Sequence, residues 1–449
     1  MNIPAVNVEA ASEARRQSAA EELVTHYQRV ADRLPGSREI RVLRDAAIRD
    51  FAAKGLPHRR IEEWKYTDLR RLMTEAYAPA LGDMPRLTAA QLEDWLGEAA
   101  GIDAVKLVLV NGVLDERLSS IGELASGVEV RSLADALQSP PDWLTAALGK
   151  INEQNGEIVT LLNTAFMSGG VVLRLADGVA LPRPVHLIHV AAGDEPLAAS
   201  IRNVLLAGKG VEATFIESYV SAKGTAAQIN AVTEVRAASG AKLRHYKIDS
   251  ENHQSQHLAS AMIDLADGAD YLGVSFADGA ALARHQTFLT FNGDGTRAHF
   301  YGAQLLCDRQ HCDMTLLINH DAVGCESREH VKAVLTDQAQ GVFQAKVIVQ
   351  PGAQKTDGRQ MAQGLLLSEN AEFDAKPELE IYADDVKCNH GATCGALDED
   401  LMFYLRTRGI LEPEARSLLI QAFIGEVLDK VEHEGLREAL VSKAARWLG

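Results

Sequence analysis

Cys388 and His390 stand two residues apart in the segment Val386-Lys387-Cys388-Asn389-His390-Gly391-Ala392-Thr393-Cys394-Gly395. In an extended strand, residues i and i+2 project from one face about 7 Å apart, whereas in a helix they diverge by roughly 200°. An extended segment therefore lets this thiol and imidazole address one ligand. Metal–sulfur and metal–nitrogen bonds of about 2.3 and 2.0 Å are reached if both side chains lean toward a common ion. Thiolate and imidazole also suit iron and iron-sulfur chemistry. Taken alone, the pair reads equally as a buried thiol beside a hydrogen-bonded histidine, and spacing does not decide between the two.

Other donors are less compact. Cys307, His311 and Cys312, with Cys325 further on, supply enough ligands for a zinc site only if all four converge, and the tight CxxC knuckles of structural zinc modules are missing. Core thiols and a surface histidine are the expectation. His245, His253, His257, His285, His299 and His330 fall in one β-rich region, where register decides whether any of them line up. The acidic pairs Asp384-Asp385 and Glu399-Asp400 read as a solvated turn and a helix N-terminus that favours negative charge. Gly208-Lys209-Gly210-Val211-Glu212-Ala213 matches the dinucleotide fingerprint in letters, but that fingerprint must open a helix and Ala213-Thr214-Phe215-Ile216 reads as strand. No GxxxxGK[ST] motif occurs, so no nucleotide is expected to bind this chain itself.

The 449 residues exceed the usual size of one domain. Hydrophobic residues make up 47% and charged residues 24%, a globular composition. A net charge of −17, from 45 basic and 62 acidic side chains, argues against a nucleic-acid surface. No apolar run approaches the roughly 20 residues of a membrane span, and the N-terminus lacks a signal-peptide pattern. Five cysteines, an odd number, then fit reduced thiols or ligands better than a disulfide framework. The expectation is a cytoplasmic protein.

Three regions are expected: helical over 1–104, β-rich over 105–395 and helical over 396–449. Residues 13 to 54 carry two helical stripes separated by Pro35-Gly36, and Thr88-Ala89-Ala90-Gln91 has capping-box form. Val105–Val110 followed by Asn111-Gly112 reads as a strand entering a hairpin turn. One helix is expected over 141–167. Beyond Gly170, alternating strands such as Met314-Leu316-Ile318 and Phe343-Ala345-Val347-Val349 dominate. Gly210, Gly240, Gly268, Gly295 and Gly324 open similar segments at separations of 30, 28, 27 and 29 residues. A steady period of short strands favours a solenoid over a β-sandwich. Three helices then close the chain.

Cys388-Asn389-His390-Gly391-Ala392-Thr393-Cys394-Gly395, followed by Phe403-Tyr404-Leu405-Arg406-Thr407-Arg408-Gly409-Ile410, resembles the C-terminal hallmark of the SufB/SufD family of iron-sulfur cluster assembly proteins. Glu63-Trp64-Lys65-Tyr66-Thr67-Asp68-Leu69 resembles an N-terminal signature of the family's SufD branch, which also fits in length and in having no N-terminal cysteine cluster. The resemblance implies a right-handed parallel β-helix between helical ends. It further implies a non-catalytic scaffold subunit that pairs with SufB and docks the ATPase SufC through its terminal helices. His390 matches the family histidine at the SufB interface, where a transient iron-sulfur cluster or iron is held, and Cys388 is its neighbour. The chain departs from the pattern at Asn389, where Ser is common, and at Cys394, where an aliphatic residue is expected. A homodimer is a further expectation for the chain in isolation. The alternative from a different class is a solenoid carbohydrate lyase or hydrolase, which needs several acids converging on one face.

Overall fold

The computed structural model describes residues 19–82, 84–122, 125–152 and 156–448; the first residues of the expected N-terminal helix lie outside them. A helix over 19–30 and a second, Arg38–Lys54, are separated by Pro35-Gly36, and the Ser37 hydroxyl accepts from the Ile40 N–H to cap the second. Thr88 and Gln91 form both hydrogen bonds of the capping box that opens Ala89–Leu96.

Two ten-stranded sheets make up the centre. From Val171–Leu175 onward, successive strands alternate between them and each pairs in parallel with the strand two places on, so the chain winds as a parallel β-solenoid. One ladder row runs Glu212, Lys242, Asp270, Arg297, Glu326, Asp357, Lys387. The sequence period is thus the coil repeat. Gly240 and Gly268, at φ of +70° and +61°, show why glycine marks it: the corner needs a left-handed residue, which glycine adopts without a Cβ clash. Their N–H groups donate to the Asp267 and Asp294 carbonyls of the following coil. Lys355, at φ 66°, takes the same corner in a later coil and donates to Asp385, so a search for glycine alone loses the repeat there.

The expected hairpin is present: Val105–Val110 meets Val113–Leu114 antiparallel across Asn111-Gly112. The inward residues Met314, Leu316, Ile318, Phe343, Ala345, Val347 and Val349 all join the central core between the sheets. The single helix expected over 141–167 is not present. Asp142–Thr145 and Ile158–Phe166 are separate helices, because Gly149 and Gly156 turn the backbone into the left-handed region and the Glu157 carboxylate caps the second helix afresh.

The N-terminal signature is fastened to the outer face of the first sheet. Trp64 is buried, and the Arg284 guanidinium stacks over its ring at 3.8 Å while donating to the Glu63 carbonyl at 2.7 Å. Thr67 bonds His311 Nε2 at 2.9 Å and donates to Asp313, which also accepts a hydrogen bond from Arg284. On the opposite side, Ile420, Ile424 and Val427 of Glu412–Leu428 and Leu436 and Leu440 of Glu434–Trp447 cover Tyr246, Leu272, Val274 and Ala303 of the second sheet. The preceding helix, Glu399–Thr407, buries none of its residues.

Candidate functional site

The solenoid ends on two unpaired edges. Glu372–Ile381 is the last strand of one sheet and Lys387–Gly395 the last of the other, so each presents a row of open main-chain groups. Cys388, His390 and Cys394 therefore lie on an edge strand, extended as their spacing requires, with side chains on one face.

Register shows what that face meets. Cys388 stands above Gly358 and Ser327, and His390 above Gln360 and Glu329, in two adjacent columns. A Cβ on Gly358 would lie 3.6 Å from the Cys388 sulfur, an ordinary van der Waals contact, so the thiol packs directly over this position. Ser327, Glu329 and Gln360 are buried, Cys388 is half-buried and packed against the core, and His390 and Cys394 are exposed. The imidazole is thus the outermost member of a polar column that leads into the bore. Among the described residues, no third histidine, cysteine or carboxylate completes a three-donor group with Cys388 and His390. Two donors on an open edge leave coordination positions for another molecule.

Burial pushes the Cys388 thiol up, with Asp357 and Glu329 adding to the effect against the Gly358 N–H, and burial raises Cys394 likewise. A metal must displace the thiol proton to engage either sulfur.

Gln360 and Glu329 carry no signal in the sequence; only register places them beneath His390. Burial pushes Glu329 up to about 8, with nearby Ser327 and the charge of Arg328 acting the other way, and neither of its carboxyl oxygens has a hydrogen-bond partner of acceptable direction. The unfolded chain ionises this group near 4.5. The folded state therefore binds the extra proton between these values, and stability falls as pH rises from 4.5 to about 8, by up to about 1.4 kcal/mol per pH unit. Glu329→Gln is expected to remove that slope. Its thermal transition should exceed wild type at pH 8 and match it at pH 5, and parallel profiles would show that the carboxyl is not held neutral.

The other candidate donors separate, but His311 is 5% exposed and is not the surface histidine expected, because the N-terminal signature lies over it. Cys312 lies in the core, His311 bonds Thr67 and Gln340, and the Cys325 thiol donates to the Gly293 carbonyl at 3.4 Å, so these do not converge with Cys307. Cys307 instead lies near His253 and Asp308 on the surface. His245, His257 and His285 point into the bore, whereas His299 and His330 face outward on the second sheet. The Gly208–Gly210 segment enters the strand Glu212–Ser221 and opens no helix. Among the described residues no three carboxylates lie within 4.8 Å of one another.

A parallel β-solenoid with helical ends thus carries a thiol and an imidazole, two residues apart, on its open terminal edge. The profile described as "SUF system FeS cluster assembly, SufBD core domain" matches residues 189–423, and the "SufBD protein N-terminal region" profile matches 17–187. The chain is 34% identical over 404 residues to the iron-sulfur cluster assembly protein SufD of Escherichia coli, covering 89% of this chain and 91% of that protein. It is 32% identical over 396 residues to a SufBD family iron-sulfur cluster assembly protein of Synechocystis, covering 86% of each. The chain belongs to the SufB/SufD family of iron-sulfur cluster assembly proteins, on its SufD side. No helix among its described residues is long and apolar enough to cross a membrane.

Proposed function

We propose that this chain is a non-catalytic, cytoplasmic scaffold subunit that pairs with a SufB-like chain and carries a SufC-like ATPase. At the paired edge His390, with Cys388, supplies ligands to a nascent iron-sulfur cluster or to iron. The observation that carries this reading is the position of the pair: two donors beside one another on an edge strand whose main chain is unpaired. A second β-solenoid laid against that edge would satisfy its hydrogen bonds and bring further ligands in the same step. Ile381 and Tyr382, 41% and 60% exposed, would be covered with it. Anaerobic copurification with both partners tests the reading through iron and acid-labile sulfide. The complex is expected to hold both, and a complex that assembles fully yet never holds either contradicts it.

The ATPase dock is assigned to the exposed side of the C-terminal region. Phe403, Tyr404 and Leu411 are 70%, 54% and 73% exposed, with the Tyr404 ring partly engaged by the Arg408 guanidinium at 4.9 Å. The next two helices cover the second sheet, so deleting everything from 411 onward would uncover that core as well as any dock. A Phe403→Asp/Leu411→Asp variant separates the effects. It is expected to lose the ATPase in pull-down, by tenfold or more, with an unchanged thermal transition; retained binding would place the dock elsewhere.

A further inference from the structure

The bore of the solenoid holds a second group of ligand-type side chains, remote in sequence from the terminal edge. Asp249 ends an inner strand of the second sheet, Glu251 lies on the corner that follows, and His257 begins the next strand of the first sheet. The coil thus folds back on itself and brings them together: one donor atom from each lies within 4.8 Å of the others. All three are buried, at 0%, 3% and 0% exposure. His285, one coil on, reaches the same place, with Nε2 3.4 Å from Asp249 Oδ2.

These groups are close without being bonded. His257 Nδ1 lies 2.9 Å from Glu251 Oε2, yet neither atom makes a hydrogen bond of acceptable direction, and both Asp249 oxygens and both His285 nitrogens are likewise without partners. Glu217, in the same bore, shows what a purely structural carboxylate looks like: it accepts from Tyr219 at 2.7 Å and Thr233 at 2.8 Å, and His245 Nε2 lies 2.9 Å away. Buried polar atoms left unpaired are costly and rare. Donors that crowd one point without facing one another have the arrangement of a coordination shell lacking its ion.

We propose that Asp249, Glu251 and His257, with His285 as a fourth donor, form an internal divalent-cation site in the bore. One or two imidazoles with two carboxylates select a first-row ion of the Fe²⁺, Mn²⁺ or Zn²⁺ class over Mg²⁺ or Ca²⁺. Metal–ligand bonds run about 2.0–2.2 Å for these donors, so small side-chain movements close the present spacing. Lys247 Nζ lies 2.6 Å from His257 Nε2, which sets the ring with Nδ1 toward the carboxylates; for Nδ1 to take the ion, the ring proton must sit on Nε2 and be accepted by Lys247 as the neutral amine.

Without an ion, Glu251 is kept in its acid form by burial and by the neighbouring Asp249 charge. The charged and titratable groups around them are Lys247, His257, His285, Glu217, Tyr219 and Cys312. Binding the ion breaks the Glu251 O–H bond and releases that proton to water. A cavity of about 70 Å³ bordered by Lys247, Glu217 and His285 has room for water beside the site. Ligand set and hydration both come from the fold itself.

The test uses the full-length chain stripped with a chelator and dialysed anaerobically against Fe²⁺, with Mn²⁺ soaked into crystals for anomalous scattering. Wild type is expected to retain one Fe²⁺ per chain and to show an anomalous peak among Asp249, Glu251 and His257. The near-isosteric Asp249→Asn/Glu251→Gln variant should weaken retention at least tenfold. His253→Ala/Cys307→Ala, which removes the surface group near Asp308, should leave it unchanged. Undiminished retention in the carboxyl variant, loss in that control, or a wild-type crystal without a peak in the bore would overturn the proposal. The wild-type crystal decides the matter even if the carboxyl variant fails to fold.

Discussion

Arg284→Ala is expected to lower the unfolding free energy by about 3–5 kcal/mol, the cost of leaving a buried charge without its partner. Arg284 and Asp313 are 1% and 0% exposed and bonded to one another. The guanidinium is also the platform under Trp64 and the donor to the Glu63 carbonyl, so its loss removes charge compensation and the N-terminal anchor together. Limited proteolysis should then cut first between residues 55 and 75. Removing both charges, as in Arg284→Ala/Asp313→Asn, should recover part of the loss, since the orphaned carboxylate is the larger penalty. Arg284→Lys should recover less, because an ammonium cannot both stack on the indole and hold several acceptors in one plane. If chemical denaturation of Arg284→Ala matched wild type, the pair would not hold the signature to the sheet.

His390→Ala carries the largest expected functional effect. The side chain is exposed and bears no packing role, so subunit assembly and the thermal transition should be unchanged. Iron and sulfide on the reconstituted complex should fall at least tenfold, because Cys388, half-buried and with its thiol pKa raised by burial, is the weaker remaining donor. Cys388→Ser should give an intermediate yield, and Cys394→Ala should fall least. Wild-type cluster content in His390→Ala would remove the imidazole from the ligand set.

Much of this was legible before any coordinates. The left-handed corner selects glycine strongly enough that Gly210 through Gly324 mark five coils, and inward alternation in 314–318 and 343–349 reports the core directly. The break in the expected helix over 141–167 was visible only in part, since Gly149 and Gly156 are ordinary interruptions until Glu157 is seen to cap a new helix. Thr67 was readable as part of a signature but not as the residue that bonds His311 and Asp313, because a contact across 244 residues has no local trace. Register hid the rest. Glu329 and Gln360 beneath His390, and the gathering of Asp249, Glu251 and His257, depend on which coil stacks on which, and the coil length varies enough that no fixed count supplies it.

The central claim is that His390 of this chain binds the cluster where the partner meets the edge, and hyperfine spectroscopy tests it most directly. The complex would be assembled anaerobically from this chain labelled with ¹⁵N-histidine and unlabelled partners, then reduced to a paramagnetic cluster state. A ¹⁵N coupling of directly bound imidazole is expected, absent when the label is carried by the SufB-like partner alone and lost in His390→Ala. A cluster of normal yield with no ¹⁵N coupling from this chain, or with one that survives His390→Ala, would contradict the account.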